Sequence, residues 1–363
     1  MTAAIQHPIR FLPDARRAVG DFELIDLADE SRIEGLRKKL HVDAPTHVQW
    51  NNWDYGSEVQ ELRALYEKGK QNQWNSSTDL DWETPVSKDE WFGDGEMSMM
   101  ANLLKLMGKS EAEQKAAMFD EVAYTCSQLL HGEQAALQLC GQLTALCPTT
   151  DEKLYAANQV NDEARHVEIF ARFVGEKMGT IYPIMPTLKV LLDELLSVEG
   201  YHMKTLGMQT LFEGMAVGIM DLLRTHSHNP LFKELVRRAE MDESRHAAFG
   251  VLTMRRVVRQ ADPAQRAHME DWAFGILEAL NAAQQLDMLR LFGPKYGIDA
   301  DQVTAMILAL PDWKQLNSLA YMHTVVPNLL RLGLITERTR DKWLDRGMLF
   351  EGEVAGRALP VAY

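Results

Sequence analysis

Two pentapeptides of one pattern stand eighty residues apart, DEARH at 162–166 and DESRH at 242–246. Each contains Glu-x-x-His, which on a helix sets a carboxylate and an imidazole one turn apart on one face, where both can bind one metal ion. Three such pairs occur, Glu163/His166, Glu243/His246 and Glu199/His202, where composition alone gives about one by chance. The last lacks the Asp and the Arg and is read as the chance match. Requiring both lowers the chance expectation to well below about one in a hundred, so the two full copies need a cause.

Helices must position these residues, and partner ligands must come from neighbouring helices. Periodic apolar spacing predicts four long helices, over about 111–146, 150–178, 199–226 and 230–260. Between the first two, CPTTDEKL supplies a Pro stop and a Thr149-x-x-Glu152 capping box. Between the last two, Asn229 is the expected cap, with Pro230 in the first helical turn. Residues equidistant from a tight turn face each other across a helical hairpin. Reflecting Glu163 across Pro148 reaches Glu133, and reflecting Glu243 across His228 reaches Glu213. Both half-sites then lie about 22 Å from their turns. Paired hairpins would bring together Glu133, Glu163, His166, Glu213, Glu243 and His246. Four carboxylates and two imidazoles are the donor set of a dinuclear iron or manganese centre. Asp162 and Asp242 are expected to accept the free N–H of the histidine on the neighbouring helix, with Arg165 and Arg245 neutralising them.

The rest of the chain narrows the possibilities. Its 363 residues are 46% hydrophobic with a net charge of −14, which disfavours a phosphate-tracking surface, so no nucleic-acid partner is expected. No signal peptide and no membrane-spanning run is read, and a cytoplasmic location is expected. Cys126, Cys140 and Cys147 form no C-x-x-C and are read as reduced core residues. Three segments are expected: a 1–108 extension with a charged helical stretch near Glu30–Leu40 and a VQWNNWDYG segment, a 109–292 bundle, and a 293–363 helical extension with Pro311 and Pro327 as boundaries. The fold class is all-α, a four-helix bundle with helices added at both ends.

GEQAAL (132–137), NDEARHVEIF (161–170), FEGMAVG (212–218) and MDESRHAAFGV (241–251) resemble the ferritin-like superfamily, in its oxygen-activating non-haem diiron branch. That branch includes ribonucleotide reductase small subunits, the related ligand-binding oxidases, acyl-carrier desaturases and bacterial multicomponent monooxygenase hydroxylases. Residues 65–82 are similar to the segment preceding the bundle in the ligand-binding oxidases. Several positions depart from relatives. Phe170 stands where reductase subunits keep a radical Tyr, and Ala135 and Met208 stand where the ligand-binding oxidases form a Val–Tyr link. Val217 replaces the monooxygenase Thr, leaving Thr210, three residues before Glu213, as the expected substitute. Ala239 replaces the additional His of arylamine N-oxygenases, with Glu240 on nearly the same face as a supplementary donor.

The resemblance implies an oxidase or oxygenase that holds two iron ions (Fe2+/Fe3+) or a Mn/Fe pair and uses O2 as co-substrate. It would hydroxylate, N-oxygenate or desaturate a small or carrier-tethered organic substrate, with Glu133, Glu213 and Thr210 nearest the chemistry. Ala136, Leu137, Phe170, Phe212, Val217 and Phe249 are expected to line the substrate pocket. Alternatives are a ferroxidase or peroxidase, as in ferritin and rubrerythrin, or one subunit of a multicomponent oxygenase. The chain carries no G-x-G-x-x-G and no ferredoxin cysteine set, so a separate reductase or ferredoxin is expected. Relatives are usually homodimers, and a homodimer is expected here.

Overall fold

Local capping signals fix where the helices begin. In this computed structural model, which describes residues 55–308 and 324–349, α1 spans Gln60–Gln71 and α2 Met99–Leu106. A Ser110/Glu113 capping box opens α3, Glu111–Leu146, and the expected Thr149/Glu152 box opens α4, Thr150–Arg172. α4 continues through a π-helical turn, Phe173–Met178, to Gly179 in the left-handed region. α5 spans Pro186–Ser197. α6 runs from Tyr201 to His226, with a wide π-helical stretch at Thr205–Phe212 just before Glu213. Asn229 caps α7, Pro230–Gln260, by accepting from Phe232 N, and Pro230 sits where its missing N–H has no intrahelical partner. α8, Pro263–Tyr296, starts at an Asp262/Gln265 box, and α9 spans Ala300–Leu308. No β-strand occurs among the described residues.

The two hairpins, α3 with α4 and α6 with α7, form the bundle, and their apolar faces make one continuous core. α5 and α8 cover it on one side, while α1 packs on α4 and α7. α6 is, among the described residues, the helix long and apolar enough to cross a membrane by length and composition. Two thirds of its apolar window (67%) is buried inside the bundle. Two close approaches need glycine. A Cβ on Gly250 of α7 would lie 2.7 Å from the Gln209 backbone, and one on Gly207 would lie 2.2 Å from Leu195 Cδ2. The wide stretch of α6 is thus pressed against neighbours on both sides.

Two expected boundary positions lie within helices. The division at 292/293 falls inside α8, because Gly297 at φ 69°, and not Pro294, ends that helix. Pro327 lies within helical residues 324–332. The Glu30–Leu40 stretch, residues 48–54 of the Trp/Asn-rich segment and Pro311 lie outside the described residues. Cys126, Cys140 and Cys147 are all buried and unpaired by disulfides.

Candidate metal centre

At mid-height the bundle brings six side chains onto one spot. Glu133 comes from α3, Glu163 and His166 from α4, Glu213 from α6, and Glu243 and His246 from α7, all buried. They form two overlapping groups whose donor atoms lie within 4.8 Å of one another: Glu133, Glu163, His166 and Glu243, then Glu163, Glu213, Glu243 and His246. Glu163 and Glu243 belong to both, and the histidine rings are 5.8 Å apart between centroids. Two ions held there would share Glu163 and Glu243, with one Glu and one His left for each. Glu199 and His202 lie in neither group.

The donor atoms converge on common points more than on each other. His166 Nδ1 lies 2.9 Å from Glu243 Oε1, yet neither atom makes a hydrogen bond, and Glu163 Oε2 is also unpartnered. Unpaired buried carboxylate and imidazole atoms are costly, and cations would satisfy them. Four glutamates carry −4 when ionised, and two divalent ions supply +4. The donor set therefore fits a pair of divalent iron ions.

Without that charge, protons take its place. Burial, then the Glu243 charge, push the Glu133 carboxyl up to about 8, and the same two causes hold Glu213 well above the usual carboxylate range. Burial opposes charging His246, but the Glu163 and Glu243 carboxylates push it up to about 10. Against burial, Glu133 and Glu243 likewise hold His166 well above the ordinary imidazole value. Glu243 is held low, against burial, by His246 and His166.

The aspartates sit behind the histidines and cross between helices. Asp242 of α7 faces His166 Nε2 at 3.2 Å, and Asp162 of α4 faces His246 Nε2 at 3.3 Å. Arg165 donates to Asp162 at 2.5 Å and to Asp242 at 3.2 Å. Arg245 bonds Asp242 closely and reaches Asp162 at 3.4 Å. Two carboxylates and two guanidiniums thus sum to zero charge. Both Asp carboxyls are held below their usual range even though burial opposes it, through the facing imidazoles first.

Several residues at the site were not legible as such in the sequence. Gln159, one turn before Glu163, donates to Glu163 at 2.7 Å and to Glu213 at 3.0 Å; its i, i+4 spacing was the available signal. Gln73 donates to Asp162 at 3.0 Å, and Trp74 Nε1 donates to Asp242 at 2.8 Å. Trp74 also lies against the Arg165 guanidinium, 5.1 Å from its ring centroid. Both come from the loop after α1, where no spacing rule points inward.

A cavity of about 420 Å³ reaches the site from the α3 and α6 side, touching Glu133 and Glu213. Ala136 and Phe212 line it as expected; Leu137, Phe170, Val217 and Phe249 do not. Phe170 and Phe249 belong to α4 and α7, behind the ligands, where Phe249 packs on Tyr155 at 4.8 Å. Leu137 and Val217 stand four residues after Glu133 and Glu213, whereas the i+3 residues Ala136 and Ala216 face the cavity. Thr210 is fully buried with an unpartnered hydroxyl and is not in the lining. The π-helical stretch shifts the register, so Met208 and Phe212 take that face instead. Glu240 pairs with Arg224 at 2.6 Å, and Ala239 is buried, so no extra donor arrives from that turn.

The family model of the P-aminobenzoate N-oxygenase AurF matches residues 57–288. Among solved structures, an R2-like ligand-binding oxidase with aerobically reconstituted cofactor after photoconversion is 18% identical. That match covers 78% of this chain and 99% of that one, with a TM-score of 0.45. A variant of such an oxidase with aerobically reconstituted Mn/Fe cofactor is 17% identical over 78% and 99%, with a TM-score of 0.44. No curated protein matches the chain.

Proposed function

Because the chain belongs to the P-aminobenzoate N-oxygenase AurF family and is a dinuclear-iron oxidoreductase, we propose that its two ions are held by Glu133, Glu163, His166, Glu213, Glu243 and His246. The observation that carries this reading is the sharing of Glu163 and Glu243 between two buried donor groups. When bound, the iron pair supplies the redox chemistry that activates O2. The chain's own residues do the rest. Asp162 and Asp242 hold the histidine rings by Nε2, so that each imidazole presents Nδ1 to the glutamates that would hold the ions with it. Gln159 steadies the Glu163 carboxylate, which both ions would share, and the Glu213 carboxylate. The α3 and α6 cavity brings an organic molecule to the edge where Glu133 and Glu213 stand, in a largely dry setting.

That apolar cavity favours oxidation of an organic guest over iron storage. Hydroxylation, N-oxygenation and desaturation all fit the site, and the family description favours N-oxygenation. Thr210, buried away from the cavity, is not assigned to proton delivery. Electrons come from a separate reductase or ferredoxin in this reading, and the working unit is a homodimer. Anaerobic titration with Fe(II), followed by mixing with O2, tests the centre. We expect two iron ions per chain and rapid O2 uptake. Iron binding at one or none per chain, or no O2 consumption, would sink the reading.

A further inference from the structure

The cavity that touches Glu133 and Glu213 has a wall rich in sulfur. Six of the chain's nineteen methionines line it: Met97, Met99, Met185, Met208, Met215 and Met288. The thioether sulfur is soft and polarizable, and its oxidation to the sulfoxide is a common reaction of the side chain. The aliphatic residues between the methionines offer only C–H bonds. An oxidising centre at the glutamates therefore meets a second kind of acceptor besides any organic guest, one built into the chain.

The six methionines stand at different depths. Met97, Glu121, Thr125 and Leu222 also border a smaller neighbouring cavity, so they lie together at one end, where Met97 and Leu222 are 52% and 43% exposed. Counted from that mouth, Ala136 lies past Glu133 on α3 and Met208 lies past Glu213 on α6, so both belong to the inner end. Met208 is only 2% exposed. The π-helical stretch puts it there. Glu213 N donates to Met208 O, so Met208 stands one wide turn from Glu213, roughly 5 Å along the axis, and both residues line the cavity. Met215, two residues after Glu213, is about 200° away around the helix. Met185 and Met288 come from the covering elements, which carry no ligand, and Met97 and Met99 come from the segment at the mouth.

We propose that Met208 is the chain's own oxygen acceptor, converted to its sulfoxide when O2 is consumed with no organic guest in the cavity. This rests on the reading of Glu133, Glu213 and their four companions as iron ligands. In the step the O–O bond breaks and an S–O bond forms to one oxygen atom. The sulfur gives up two electrons and two more come from the Fe(II) pair, while the second oxygen atom leaves as water with two protons from solvent. The product leaves a polar group at an otherwise apolar inner end.

Peptide mass spectrometry tests this. The full chain is loaded with Fe(II) anaerobically, given no organic molecule, and mixed with O2 carrying a heavy oxygen isotope. Labelled sulfoxide is expected at Met208 in about fivefold or greater excess over any other methionine. Metal-free protein treated with hydrogen peroxide is the control, and there access from solvent governs. Met97 and Met241, 52% and 47% exposed, are expected to react ahead of Met208. Two irons and O2 uptake with the label elsewhere, or nowhere, overturn this proposal alone. The same Met208-first order with peroxide also overturns it, since the sulfur would then owe nothing to the centre. Protein that binds no iron, or binds it and consumes no O2, overturns the metal-centre reading and this proposal with it.

Discussion

Under the proposed ligand set each glutamate at the centre would have a different task, and substitutions should separate them. Glu163 and Glu243 are shared by both donor groups, whereas Glu133 and Glu213 belong to one each. Glu163→Gln should therefore lower bound iron from two to about one per chain or fewer, measured by elemental analysis, because a neutral amide cannot bridge two cations. Glu133→Gln should retain more iron than Glu163→Gln; equal losses would contradict the shared arrangement. Asp242 would act one bond further out, since it faces His166 Nε2 at 3.2 Å. Asp242→Asn removes that charge and leaves the Trp74 and Arg165 neighbours in place. It should weaken Fe(II) binding by about 10- to 100-fold while the circular dichroism spectrum is unchanged. An unchanged iron affinity would leave Asp242 as a mere partner of Arg245.

Among the helices, the site depends on how closely α6 and α7 approach. Gly250 meets the Gln209 backbone, and a backbone neighbour cannot rotate aside as a side chain can. Gly250→Ala should therefore cost about 1 to 3 kcal/mol in urea unfolding, and it should also disturb Glu213, which directly follows the wide stretch of α6. The hairpin of α3 and α4 depends on a cap. The Thr149 hydroxyl accepts from Glu152 N at 3.2 Å and donates to the Glu152 carboxylate at 2.7 Å. Thr149→Ala should cost about 1 kcal/mol without changing iron content. A loss of iron in that variant would show that the turn itself sets the height of Glu163. The π-helical stretch of α6 also bears on where Thr210 lies. Ordinary spacing of 3.6 residues per turn puts it on the ligand face, and the wider turn gives that face to Met208 and Phe212.

For the molecule as a whole, the centre couples charge to stability. Metal-free, His246 is pushed up to about 10 and Glu133 up to about 8, so these two groups hold protons at pH 7, and burial with the neighbouring charges raises His166 and Glu213 as well. Binding iron must displace them, so Fe(II) affinity should rise with pH between 6 and 8, with about two to four protons released per pair of ions. Affinity that falls as pH rises over that range would contradict the site. Iron should also raise the thermal midpoint by roughly 5 to 10 °C, reversed by a chelator, because it binds only the folded bundle. Much of this was legible in the sequence. Apolar periodicity and capping residues such as Thr149 and Asn229 determine the helices locally, and two short hairpins force Glu133 opposite Glu163 and Glu213 opposite Glu243 by symmetry about their turns. Such information lies within a few residues of each position or reflects across one turn, so it survives in a linear string. What only the tertiary structure decided depends on contacts between distant segments: Gln73 and Trp74 reaching Asp162 and Asp242 from a loop, the register of α6 around Thr210, and the choice of the α3 and α6 side for the cavity. Phe170 and Phe249 stand outside that cavity and Tyr124 is among its lining residues, because α5 and α8 pack over the α3 and α6 face and complete its wall with Met185, Leu188, Leu280 and Met288.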